Sequence, residues 1–90
     1  MIATHLFSVN KERKEFVAED STLRANGCYE SLGRVLAIRN SATGRHAEFA
    51  YVKAERDGEG EILCWQFEPT DASLRAHPAL RGWRVTVLND

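Results

Sequence analysis

The chain has 90 residues, with 12 basic and 13 acidic side chains for a net charge of −1, and is 43% hydrophobic and 28% charged. This length suits a single domain, residues 1–90, and the composition is that of a folded rather than a disordered chain. The balanced charge argues against general attraction to nucleic acid or to an anionic membrane, and no stretch approaches the ~18 apolar residues of a membrane span.

Residues 2–9, IATHLFSV, are β-prone and read as a first strand. The charged run Asn10–Glu15 reads as an exposed turn and Glu15–Glu19 as a second strand. Asp20, Ser21 and Thr22 are capping residues ahead of at most one helical turn, which Asn26-Gly27 ends. Cys28–Gly33 reads as an irregular crossing, with Tyr29 and Leu32 packing back on the core.

Arg34 to Phe67 then reads as three strands joined by two tight turns. The first turn, Ser41-Ala42-Thr43-Gly44, sets Ile38 opposite Ala47 and Leu36 opposite Phe49. For the second turn, Asp57-Gly58 as a two-residue loop would send Trp65 to the face opposite Phe49. A three-residue loop, Arg56-Asp57-Gly58, keeps the aromatics together and pairs Tyr51 with Leu63 and Phe49 with Trp65. Leu36, Ile38, Ala47, Phe49, Tyr51, Leu63, Trp65 and Phe67 then form the core face. The reverse face carries Val35, Ala37, Ala50, Val52, Ile62 and Cys64, with Val35, Ala50 and Cys64 in one row. A solvated sheet face is normally more polar, so a cover from this chain or from a second copy is expected.

Thr70 or Asp71 caps a short helix that must end before Pro78, and Leu74 and Leu80 anchor the connection. Gly82 permits a turn into a last strand, where Trp83, Val85 and Val87 alternate with Arg84 and Thr86; it is expected at a sheet edge. The fold class is thus mainly β, or a β-rich α+β variant. It would be a curled antiparallel sheet or small barrel of about five to six strands with one or two short helical turns.

No motif specifies a reaction. The five serines lie in no G-x-S-x-G setting, and there is no phosphate-binding glycine loop. His5, His46 and His77 are not spaced as ligands, and no metal or other cofactor is expected, although folding could assemble His46, His77 and Cys28. His46, beside Arg45 after the first turn, reads as solvated. Glu55, Asp57, Glu59 and Glu61 read as a solvated acidic hairpin tip. Cys28 and Cys64 are too few for a disulfide scaffold; Cys64 reads as a small buried hydrophobe.

Nine of the twelve basic residues are arginine. The expectation is a non-catalytic binding or assembly module that self-associates through Val35, Ala50 and Cys64, with an edge strand offered for pairing. The alternative is a small barrel binding an anionic ligand or single-stranded nucleic acid through Arg34, Arg39 and Arg45, with Arg24 nearby. The start of the chain lacks the basic leader and apolar run of a secretory signal, so the expected location is cytoplasmic.

Overall fold

A computed structural model describes residues 6–26 and 45–90 in full and residues 2–3 and 35–39 by their backbone. The segment 27–34 and the first turn at 40–44 lie outside the described residues, and with them the expectations for Cys28, Tyr29, Leu32 and Arg34.

Seven strands are described: β1 (Ile2–Ala3), β2 (Ser8–Asn10), β3 (Glu15–Glu19), β4 (Val35–Arg39), β5 (His46–Arg56), β6 (Ile62–Pro69) and β7 (Arg84–Leu88). They form one sheet in the order β1-β4-β5-β6-β7-β3-β2. The pairing is mixed: β1/β4 and β3/β7 are parallel, the other four pairs antiparallel. The expected strand over residues 2–9 is therefore two short pieces at opposite edges of the sheet. Only five residue steps separate Ala3 from Ser8, a reach of at most about 18 Å. Six strand spacings of a flat sheet would need about 29 Å. Chain connectivity thus requires a strongly curled sheet, open between β1 and β2 rather than closed as a barrel.

The inside of the curl is the core. Phe16 and Ala18 of β3, Val85 and Val87 of β7, Trp65 and Phe67 of β6, and Phe49 of β5 share this side through the pairing register. Phe49, Phe67, Val85 and Val87 are almost fully buried. Phe7, just before β2, and Leu23 complete the cluster. Phe16 meets Phe49 edge-on at 6.1 Å and lies against Trp83 at 4.7 Å.

Helix α1 (Asp20–Ala25) follows β3 and buries Leu23 completely. Its expected local cap is absent. Instead the Ser21 amide and hydroxyl both donate to the Asp90 carboxylate, tying the helix start to the end of β7. Those hydrogen bonds hold the Asp90 carboxyl below the usual carboxylate range. Helix α2 (Asp71–Ala76) does begin on Thr70, whose hydroxyl accepts from the Ser73 amide at 3.2 Å. A 3₁₀ turn (Pro78–Leu80) follows, and Leu80 packs on the core.

The β4–β5 register is as expected, with Leu36 opposite Phe49 and Ile38 opposite Ala47. The β5–β6 register differs. Tyr51 pairs with Phe67 rather than Leu63, and Phe49 with Pro69 rather than Trp65. Asp57 causes the shift: its side chain accepts from the Glu59 and Glu61 amides at 2.8 and 3.0 Å, building a loop over residues 57–61. The left-handed residue is Gly60 (φ 86°), not Gly58. A slip of four residues preserves side-chain parity, and with irregularities at Val52 and between Glu55 and Arg56 Trp65 still packs on the core with Phe49, but Leu63 and Tyr51, expected on the core face, are exposed.

Two expectations fall with the register. The row of Val35, Ala50 and Cys64 does not form: Val35 is opposite Ala50, but Ala50 meets Glu68, while Cys64 lies between Glu55 and Leu88. Strand β7 is not an edge, because β3 returns parallel to it and covers its second side.

Candidate functional site

Pro69 ends β6 opposite Phe49, and its ring removes the amide that would continue the ladder along β5. Helix α2 takes over that edge with other groups. The Thr70 amide donates to the Glu48 carbonyl at 3.0 Å, and the Glu48 amide donates to Ser73 Oγ at 2.8 Å. His77, just past α2, donates from Nε2 to the His46 carbonyl at 3.1 Å. The start of β5 is thereby held against α2 by three hydrogen bonds in place of a strand.

Between them lies a cleft of about 550 Å³ lined by Arg45, His46, Glu48, Ala72, Ser73, Ala76 and His77. Ala72 and Ala76, one turn apart, are too small to fill it. Arg45, His46 and Glu48 are exposed, and His77 is half-buried. Among the described residues, Arg45, His46 and His77, all singled out in the sequence, converge here. His46 and His77 come together across 31 positions, though through a carbonyl rather than through both rings. Among the described residues, no group of histidine, cysteine and carboxylate side chains is arranged to hold a metal ion. Of the arginines, Arg45 borders the cleft, Arg39 stands opposite His46 in the β4–β5 register, and Arg34 lies outside the described residues. Arg24 instead binds Asp20 within α1 at 2.7 Å. The cleft itself was not legible in the sequence, because it depends on α2 docking where β6 stops.

The outer side of the sheet is the second feature. Cys64, Gln66, Thr86, Glu15 and Leu88 share it through the register, and Val52 and Lys53 together stand opposite Gln66 at the bulge. Val52 is 48% and Leu88 39% exposed. Between them, Lys53 and Glu55 form an ion pair at 3.0 Å with both side chains in solvent. Cys64 is buried, and this desolvation pushes its thiol above the usual cysteine value.

At the centre of that side, Glu15 Oε2 accepts from Arg84 Nε at 2.9 Å and from Thr86 Oγ1 at 2.8 Å. Burial raises the Glu15 carboxyl, but these hydrogen bonds and the charges of Arg84 and Arg13 outweigh it. The net position is below the ordinary carboxylate value. This group is structural: it joins β3 to β7. Among the described residues, no helix is long and apolar enough to cross a membrane. Comparisons with protein-family models, curated proteins and solved structures found no match to this chain.

Proposed function

We propose that this chain is a non-catalytic assembly module that self-associates through the outer side of β5, β6 and β7. The observation that carries the reading is the exposure of Val52 and Leu88 on either side of Cys64, with the Lys53–Glu55 pair among them. Exposed apolar side chains grouped on a sheet surface favour burial against a partner. The partner is a second copy. In a two-fold contact the same patch meets itself, so a surface carrying adjacent charges of both signs is complementary to its own copy. Lys53 of one copy then reaches Glu55 of the other. A net charge of −1 adds little repulsion between copies. The surface named in the sequence as Val35, Ala50 and Cys64 is thereby recentred on Val52 and Leu88. A cytoplasmic setting accords with Cys64 as a buried thiol.

Sedimentation velocity at increasing concentration tests the reading. The wild-type chain is expected to shift to a dimer, and Val52→Arg to remain monomeric. Because Val52 is exposed, its replacement should change stability by no more than about 0.5 kcal/mol. A wild-type chain that sediments as a monomer throughout refutes it.

A further inference from the structure

We infer that the turn between β2 and β3, together with the loop entering β7, forms a docking surface for single-stranded nucleic acid. This surface is separate from the outer sheet face that carries self-association and does not depend on it. The net charge of −1 conceals a segregation. Residues 11–15 and 81–84 carry five basic side chains, Lys11, Arg13, Lys14, Arg81 and Arg84, against only Glu12 and Glu15. The register sets Glu15 beside Arg84, so both segments lie at the same end of the sheet. The acidic tip at Asp57, Glu59 and Glu61 lies beyond the other end of the strands. Val85 stands opposite Phe67, and five residue steps of β6 lead from Phe67 to Ile62 beside that tip, about 17 Å. The separation exceeds the Debye length of about 10 Å at 0.1 M salt, so the tip's field is largely screened at the basic end.

The two segments are fixed to each other. Asn10 Oδ1 accepts from the Arg13 amide at 3.1 Å, and Lys14 takes a left-handed φ of 53° to close the turn. The Arg84 amide donates to the Lys14 carbonyl at 3.0 Å, and the Lys14 side chain lies over Gly82. Of the carboxylates, Glu15 is engaged by Arg84 and Thr86, which leaves Glu12 against four cations. Lys11, Arg13, Lys14 and Arg81 are exposed and make no ion pair among the described residues. Beside them stands an aromatic pair: Trp83 and Phe16 lie with ring centroids 4.7 Å apart, and both are partly exposed. Cations neutralise phosphates, and accessible rings stack with bases. An acidic polypeptide would use the charges but not the rings, and a duplex keeps its bases stacked on each other. The combination therefore fits a single strand.

The test is fluorescence anisotropy of a labelled thymidine oligonucleotide of about 12 residues, titrated with the full chain where light scattering reports one species. Four phosphate contacts predict an affinity that falls about 50-fold between about 50 and 200 mM salt. Arg13→Gln should reduce the slope of log affinity against log salt by about 0.7. Lys14→Asn, which keeps a residue that tolerates positive φ, should do the same. Glu59→Gln, at the far tip, should change neither affinity nor slope. In ¹⁵N spectra of the unaltered chain, the Trp83 indole should shift on binding while the Trp65 indole stays; this readout needs no variant to fold. Polyglutamate serves as competitor, and displacement as effective as that by unlabelled oligonucleotide would assign an acidic polypeptide instead and overturn the proposal. No binding at the lowest salt, an unmoved Trp83 indole, or an unchanged slope in both basic-residue variants would each overturn it as well.

Discussion

Glu15 lies on the outer side of β3, yet only 11% of its side chain meets solvent, and it accepts hydrogen bonds from both Arg84 and Thr86. Replacing it with alanine leaves those donors without their acceptor in a sheltered position, a loss of about 2 kcal/mol. The pH dependence follows from its lowered carboxyl pKa. A group depressed in the folded state stabilises fully above its unfolded value, near 4.5, and loses that contribution as pH falls through the lower folded value. Urea unfolding from pH 7 to pH 3 should therefore show wild-type stability falling on the acid side. Glu15→Gln should be less stable at pH 7 and flatter below. The sequence placed Glu15 in a strand but could not pair it with Arg84, because that contact spans 69 positions. The reading of His46 as solvated agrees with its exposed side chain, but nothing local indicates that His77 returns to its carbonyl.

The elements were legible where the governing physics is local. Thr70 as the cap of α2, the end of α2 before Pro78 and the strand Glu15–Glu19 all follow from neighbouring residues. So does the β4–β5 register, which parity and loop length fix together. The β5–β6 turn was misread because Asp57 reaches forward to two amides and moves the left-handed position to Gly60. Trp65 and Phe67 kept their side with Phe49, since a four-residue slip preserves parity, whereas Leu63, beside a second irregularity in the ladder, is exposed rather than in the core. What the sequence did not convey is that α2 completes a strand edge. Ser73→Ala tests that role: the Glu48 amide loses its acceptor, which should cost about 1–2 kcal/mol. For a domain of this size the midpoint of thermal unfolding should fall by about 5–10 °C. An unchanged midpoint would show that water replaces the hydroxyl without cost.

At the scale of the molecule, the sheet is ordered by β7. Strand β7 pairs antiparallel with β6 and parallel with β3, so it joins the β4–β5–β6 half to the β2–β3 half. Val85 and Val87 are fully buried in the middle of the core. The place of β7 as the last strand suggested an edge, but order along the chain does not set how many neighbours a strand has. A chain ending at Arg81 should accordingly lose cooperative thermal unfolding followed by near-ultraviolet circular dichroism. Retention of a sharp transition would mean that the halves hold together through Phe7, Leu23 and Phe49 alone.

This placement also sets the order in which the fold is made. During translation β2 and β3 emerge early, yet the strand that must lie beside β3 leaves the ribosome only after β4, β5 and β6. Until then Phe16 and Ala18 have no β7 to pack beside, and the nascent chain must wait for its central strand.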